Sequence, residues 1–177
     1  MHTEIEERVL EIDEQKIIRR LEELHANKIG EWNQKRYVYD FNPKRENQWI
    51  RLRDSGDKVT LAYKSIEKDS IDGTKEIEIE VSDFEETNKL LEVLGYKSKA
   101  FQENKRIQYK LGDVEIDIDY WPLIPAYLEI EGKTIADVKR IAKLLNINEN
   151  NITSLNCKDI YQRIYGINID TISELKF

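Results

Sequence analysis

Cysteine and histidine are scarce in this sequence of 177 residues. Cys157 is the only cysteine, which excludes an internal disulfide, a thiolate zinc site and a Cys-x-x-Cys redox pair. The two histidines, His2 and His25, stand far apart, so a histidine-based metal site is not expected. A metal ion would therefore be held by carboxylates, which suit hard cations such as Mg²⁺, Mn²⁺ or Ca²⁺.

Long apolar runs and a basic charge balance are also missing. No stretch approaches the roughly 18 to 20 apolar residues needed to cross a bilayer, and the N-terminus lacks the features of a signal peptide. Lys and Arg number 28 against 35 Asp and Glu, a net charge of −7, which disfavours nucleic acid or an anionic membrane as a partner. We expect a cytoplasmic monomer or homodimer, with one domain over residues 1–177.

Eight short segments alternate apolar with polar residues, as in antiparallel strands with one buried face. They are TEIEERV, YVYDF, QWIRLRD, KVTLAYK, KEIEIEV, NKRIQYK, VEIDIDY and AYLEIEG. Turn signals such as Asp54-Ser55-Gly56-Asp57 and Gly112-Asp113 join neighbouring segments. Four helices are predicted as well: after the capping residues Asp13, Asp83 and Thr134, and over about residues 158–165. The expected fold class is α+β.

Charged residues gather on one face of these predicted strands, and Ile, Val, Leu and Tyr occupy the other. The charged face comprises Glu4, Glu6, Arg8, Arg51, Arg53, Lys64, Glu76, Glu78, Glu80, Arg106, Lys110, Glu115, Asp117, Asp119, Glu129 and Glu131. An ordinary explanation is an open sheet with this face in water. The alternative is a closed barrel with a charged lumen and an apolar outside under the helices. We favour the barrel, because like charges on EIEIE and DID would repel unless bases or bound cations lie between them.

The order of these motifs resembles the CYTH superfamily, the triphosphate tunnel metalloenzymes, which includes class IV adenylyl cyclases, thiamine triphosphatases and inorganic triphosphatases. The family's N-terminal ExExK strand is matched by Glu4-Ile5-Glu6-Glu7-Arg8, with Arg in place of Lys. Further matches follow in family order over about residues 3–165: Ile50-Arg51-Leu52-Arg53, Leu61-Ala62-Tyr63-Lys64, Glu76-Ile77-Glu78-Ile79-Glu80, Lys105-Arg106, Glu115 to Asp119, and Tyr127-Leu128-Glu129-Ile130-Glu131-Gly132. The chain departs from the family pattern at two positions: Arg8 stands in place of the usual Lys, and Asn104 stands where the family often has a basic residue.

The resemblance implies a closed eight-stranded antiparallel β-barrel with helices packed outside, and it implies site residues. The implied substrate-binding bases are Arg8, Arg51, Arg53, Lys64, Lys105 and Arg106. The implied ligands of Mg²⁺ or Mn²⁺ are Glu4, Glu6, Glu78, Glu80, Asp117, Glu129 and Glu131. Direct catalytic roles are implied for Glu4, Glu6, Arg8, Lys64 and Arg106. Arg8 is poorly suited to accept a proton, because a guanidinium does not deprotonate usefully.

Three functions are compatible with the resemblance. Metal-dependent hydrolysis of a small-molecule triphosphate, such as tripolyphosphate, ATP or thiamine triphosphate, is favoured. The alternative is a class IV adenylyl cyclase that converts ATP to cyclic AMP and pyrophosphate. A non-catalytic polyphosphate or nucleotide binding module is less favoured, because such a module would not need the metal-binding carboxylates that are present here.

Overall fold

The computed structural model describes residues 1–177 apart from the side chain of Glu149, and within these residues eleven strands form one curled sheet. The sheet is antiparallel except that β11 runs parallel to β7. The strands are β1 His2–Glu4, β2 Glu6–Val9, β3 Asn27–Tyr39, β4 Gln48–Asp54, β5 Val59–Ile66, β6 Thr74–Val81, β7 Ser98–Leu111, β8 Val114–Tyr120, β9 Tyr127–Glu131, β10 Ile152–Thr153 and β11 Glu174–Leu175.

The helices are α1 Glu14–Glu23, α2 Phe84–Val93, α3 Ile135–Leu144 and the short α4 Cys157–Asp159, which continues into a π-helical turn over Ile160–Ile164. Single 3₁₀ turns lie at Glu149–Asn151 and Ile169–Thr171. Asp13, Asp83 and Thr134 each accept a hydrogen bond from a backbone N–H of the first turn, at 3.1, 2.7 and 3.2 Å. The three predicted helix starts are therefore confirmed. No helix in the described part of the chain is long and apolar enough to cross a membrane.

The sheet forms a half-barrel, so the closed eight-stranded barrel of the sequence prediction is not what the strand pairing shows. Strand order runs β1-β6-β5-β4-β3-β7-β8-β9-β2-β10 without returning to its start. The difference begins at Ile5, where the first predicted strand breaks: β1 pairs with β6, whereas β2 pairs with β9. Around the break, the Gly132 N–H donates to Ile5 O, and the Glu6 N–H donates to Ile71 O, each at 3.0 Å. Residues 2–9 thus contact both ends of this strand order.

The outer, apolar face of the sheet packs against the helices. α1 and α3 cover β2, β7, β8 and β9, where Ile116, Ile118, Leu128 and Ile130 are fully buried. α2 covers β3 and β4 through Phe84 and Leu91. The segment after β10 packs through Tyr161 against Trp121 and Tyr127. The charged face of the strands is therefore left on the concave side.

Substitution of the core residue Ile130 by alanine is expected to lower the free energy of unfolding by about 2–5 kcal/mol, because it removes buried methyl groups and leaves a cavity. Ile130 has no exposed surface, whereas Ile79, on the outer face of β6, is 56% exposed. Ile79→Ala is therefore the matched control and should cost less than about 1 kcal/mol. Urea denaturation measures both values, and equal losses would contradict this placement of the core.

Candidate active site

A cavity of about 880 Å³ lies on the concave side of the sheet, and charged side chains line most of it. Its lining draws on β1 to β9 and on residues 156–170. Two hairpin turns set the strands that frame it: Gly56 and Gly112 have φ of +89° and +63°, values that favour glycine. The antiparallel strands then place alternate side chains of each strand in the cavity.

The wall formed by β3, β4 and β5 is basic, with a few acids from β1 and β6 against it. Arg51 contacts Glu76 at 3.0 Å and Glu78 at 2.8 Å. The same Glu78 oxygen also contacts Arg53 at 3.3 Å. Lys64 lies 2.9 Å from Glu4. These bases therefore share a small number of carboxylates.

The opposite wall, on β2, β7, β8 and β9, is acidic, with two arginines held inside it. Arg106 lies 2.5 Å from Asp117, 2.6 Å from Asp119 and 3.2 Å from Glu129. Arg8 lies 2.8 Å from both Glu6 and Glu129. The cavity therefore has one wall rich in cations and another rich in anions.

Two buried arginines hold the charge of Glu129, on the acidic wall, in place. Burial would raise the pKa of Glu129, but Arg8 and Arg106 outweigh it and hold that pKa at about 2. Burial likewise disfavours the charged form of Arg8, yet Glu129 and Glu6 keep the pKa of Arg8 well above its ordinary value. Arg8 therefore remains a cation at any working pH, as its residue type predicts.

Glu131 has the opposite environment. It stands directly across from Glu6 on β2 and from Glu115 on β8. Burial, followed by repulsion from Glu6 and Glu129, raises the pKa of Glu131 to about 8. No basic side chain among the described residues pairs with this carboxylate. The arrangement concentrates negative charge where a bound cation would relieve it.

The donor set fits a divalent cation of the Mg²⁺ or Mn²⁺ type, because carboxylate oxygens predominate on the acidic wall and Glu131 has no basic partner among the described residues. Among the described residues, the ligand-type side chains whose donor atoms all lie within 4.8 Å of one another are His2, Glu4 and Glu76. Glu4 is therefore common to this group and to the predicted ligands. Glu6, Glu129 and Glu131 lie along the acidic wall.

Replacing Glu131 by glutamine is expected to raise the melting temperature of the metal-free protein at pH 8.5. The folded-state pKa of Glu131 lies above its ordinary value of 4.5, so its ionisation opposes folding increasingly as the pH rises from 4.5 through about 8. At pH 4 the carboxyl is protonated in both states, and wild type and variant should melt together. Thermal unfolding in EDTA at both pH values tests this, and an unchanged or lower melting temperature at pH 8.5 would contradict it.

Most of the predicted site residues line this cavity, and three do not: Glu80, Lys105 and Asp117. Glu80 is exposed near the end of β6 and contributes nothing to the lining. Lys105 points to the outer side of β7, where it lies 2.7 Å from Glu31. Asp117 is buried, and it contacts the cavity residue Arg106 at 2.5 Å. The cavity brings together the other predicted residues: Glu4, Glu6, Arg8, Arg51, Arg53, Lys64, Glu78, Arg106, Glu129 and Glu131.

The sequence prediction did not include Arg36, which lies on β3 and lines the cavity. Only YVYDF was predicted as a strand in this region, whereas β3 begins ten residues earlier, at Asn27. Its first part is mostly polar, and its two large apolar residues, Ile29 and Trp32, lie on opposite faces, so hydrophobic alternation is absent there. Extending the period of two backward from Tyr37 and Tyr39, which face outward, would have placed Gln34 and Arg36 inside.

Comparison with known proteins identifies the family to which this chain belongs. The sequence profile of the CYTH domain matches residues 2–161, and the chain belongs to that family. A search of curated proteins returned no match.

Solved structures share the fold. The chain is similar to the PH1012 protein from Pyrococcus horikoshii OT3, with 24% identity and a TM-score of 0.75, over 86% of this chain and 96% of that one. It is also similar to an adenylate cyclase candidate from Vibrio parahaemolyticus, with 14% identity and a TM-score of 0.77, over 91% and 98%. The adenylyl cyclase candidate HpAC1 from Hippeastrum, described as having a dominant triphosphatase activity, has 16% identity and a TM-score of 0.57, over 94% and 97%. These identities establish a common fold and no more.

Proposed function

We propose that this protein is a divalent-metal-dependent triphosphatase whose cavity serves as a triphosphate tunnel. The observation that carries the proposal is the division of one cavity into a basic wall and an acidic wall. A polyanionic phosphate chain suits Arg51, Arg53 and Lys64, while the carboxylates across the cavity suit a metal ion. A surface that only needed solubility would have no reason to bury these charges.

Substrate binding would exchange internal ion pairs for contacts with phosphate. Arg51 and Arg53 compete for one oxygen of Glu78, so a phosphoryl group offers their guanidiniums additional acceptors in the bidentate geometry that arginine favours. Lys64 can reach the chain as a point charge from its position beside Glu4. These contacts fix the length and orientation of the chain, and phosphoryl transfer depends mainly on such positioning.

Glu4, Glu6, Glu129 and Glu131 are the residues we assign to the metal. When bound, Mg²⁺ or Mn²⁺ would screen these carboxylates from the phosphate chain and stabilise negative charge that develops on phosphoryl oxygens. Arg8 and Arg106 keep Glu129 ionised and fix its orientation. In hydrolysis of tripolyphosphate, water attacks a terminal phosphorus, the bridging P–O bond to that phosphorus breaks, and phosphate and pyrophosphate leave.

ATP cyclisation is the second candidate. Trp49 lies at the cavity lining next to residues 44–48 and is only half-buried, so its ring offers a surface on which adenine could stack. In that reaction the ribose 3′-hydroxyl attacks the α-phosphorus and pyrophosphate leaves. The phosphate contacts would be the same in both reactions.

A product assay tests these alternatives. The purified protein is incubated with tripolyphosphate, ATP or thiamine triphosphate and Mg²⁺ or Mn²⁺, and phosphate, pyrophosphate and cyclic AMP are resolved. Phosphate and pyrophosphate from tripolyphosphate are expected. Cyclic AMP with pyrophosphate from ATP would replace the proposal with the cyclase. Binding without turnover with either metal would indicate a non-catalytic binding module.

A further inference from the structure

Arg36 is a buried cation that forms no ion pair with a carboxylate in the described part of the chain. The residue is 9% exposed and faces the cavity. Its Nη2 donates to the amide oxygens of Asn104 and Gln34, the latter at 3.4 Å, and its Nε has no partner. Each of the other arginines and the lysine assigned to the cavity contacts at least one carboxylate.

Arg53, the cross-strand neighbour of Arg36, makes burial of the Arg36 charge less favourable. Arg36 on β3 stands directly opposite Arg53 on β4, and directly opposed residues on neighbouring strands share a face. Like charges in this arrangement destabilise a sheet. Burial and then repulsion by Arg51 lower the pKa of Arg36 to about 10, while burial, Arg51 and Arg36 lower that of Arg53 to about 9. The negative charge near the two guanidiniums is therefore too small to offset their burial and mutual repulsion.

The contacts of Arg36 hold its guanidinium in place without neutralising it. The group lies 4.6 Å from the ring centroid of Trp121, which supports it by a cation–π contact. The amide oxygens of Gln34 and Asn104 are neutral acceptors. A cation fixed by neutral groups and an aromatic ring is ready to bind an anion with little further ordering.

We infer that Arg36 and Arg53 form an anion subsite in the cavity, where a phosphoryl group binds between the two guanidiniums. The choice of a phosphoryl group as the anion rests on the proposed function. The subsite lies at one end of a row of bases. On β4, Arg51 is two residues before Arg53, and Trp49 is two residues before Arg51. Lys64 on β5 stands opposite Trp49 and so continues the row. A phosphate chain that follows this row would place one of its ends at Arg36.

Binding assays on Arg36→Met and Arg36→Lys test the inference. Tripolyphosphate affinity is measured by calorimetry in EDTA, where metal-dependent turnover is absent, and again with Mg²⁺. We expect Arg36→Met to weaken binding at least ten-fold and Arg36→Lys to retain most of the affinity. Lys105→Met is the matched control, since it removes a positive charge on the outer side of β7, and it should bind within two-fold of wild type. Binding by Arg36→Met within two-fold of wild type would overturn the inference.

The unfolding midpoint distinguishes this role from a structural one. Because Arg36 is an uncompensated buried charge, the ligand-free Arg36→Met protein should melt no lower than wild type, and tripolyphosphate should raise its melting temperature less. If the variant does not fold, a crystal structure of the wild type with tripolyphosphate tests the subsite instead. A phosphoryl oxygen within hydrogen-bond distance of Arg36 supports the subsite, and a chain bound entirely away from Arg36 excludes it.

Failure of the inference and failure of the proposed function give different results. Wild-type hydrolysis of tripolyphosphate together with unaltered binding by Arg36→Met would retain the triphosphatase and exclude the subsite. Binding of inorganic phosphate that depends on Arg36, in a protein that does not hydrolyse any triphosphate, would retain the subsite and exclude the triphosphatase. Absence of binding to both tripolyphosphate and inorganic phosphate would overturn both.

Discussion

Glu131→Gln is expected to reduce tripolyphosphate turnover by at least about 100-fold, the scale on which active sites lose rate when one well-placed electrostatic group is removed. Glutamine keeps the shape of the side chain but cannot ionise, so it cannot supply the negative charge that Glu131 would offer a bound cation beside Glu6 and Glu115. A metal ion would then bind more weakly, so the concentration of Mg²⁺ or Mn²⁺ required for half-maximal rate should rise. Phosphate release measured across a metal titration gives both quantities.

Glu80→Gln is the control for this substitution. It makes the same chemical change on β6, but at an exposed position outside the cavity lining, so turnover should stay within about two-fold of wild type. Turnover of Glu131→Gln within about three-fold of wild type at every metal concentration would remove Glu131 from the metal site. Circular dichroism of both variants checks that the fold is retained.

Arg106→Met is expected to have the largest effect on stability, a loss of about 3–5 kcal/mol, the range found when one partner of a buried ion pair is removed. Arg106 contacts three carboxylates, Asp117, Asp119 and Glu129, at 2.5 to 3.2 Å. Methionine fills much of the same volume but carries no charge, so these three buried carboxyl groups would lose their shared cation and repel one another when ionised. Urea denaturation at pH 7.5 measures the loss, with Lys105→Met on the outer side of β7 as the neighbouring control.

The stability deficit of Arg106→Met should shrink as the pH falls. In the wild type, Arg8 and Arg106 hold the pKa of Glu129 at about 2, so this carboxylate contributes stability above pH 4.5 that is lost only as the pH falls towards 2. Without Arg106, repulsion raises the carboxyl pKa values in the folded state, and a group with a raised pKa favours folding as it takes up a proton. A deficit that stays constant or grows from pH 7.5 to pH 5 would contradict this account.

The sequence predicted the faces of most strands because hydrophobic alternation is a local property. EIEIE, DID and the ExE of β9 each show which side chains share a face, whatever the pairing of their strands. The positions of the capping residues Asp13, Asp83 and Thr134 are local in the same way, and the structure confirms them. Family motifs then supplied their order along the chain.

What alternation does not determine is where along the cavity a side chain lies. Glu80 shares a face with Glu76 and Glu78, yet the register of β5 and β6 places it beyond the part of β6 that lines the cavity. The break at Ile5 also depends on non-local contacts, since it arises where one segment pairs with two different strands. Arg36 was missed because the first part of β3 is mostly polar and its apolar residues do not alternate, so it carries no periodic signal.

The pairing of β1 with one strand and β2 with another has a consequence for how the protein assembles. Glu4, Glu6 and Arg8 can reach the cavity only after residues 2–9 have docked between β6 and β9, two strands that are distant in the chain. A folding intermediate with a detached N-terminal segment would therefore retain most of its sheet but lack three of the charged side chains assigned to the site. Completion of the fold and assembly of the charged site then become one event. If the proposed triphosphatase activity is present, backbone amides of residues 2–9 should gain protection from hydrogen exchange as turnover appears.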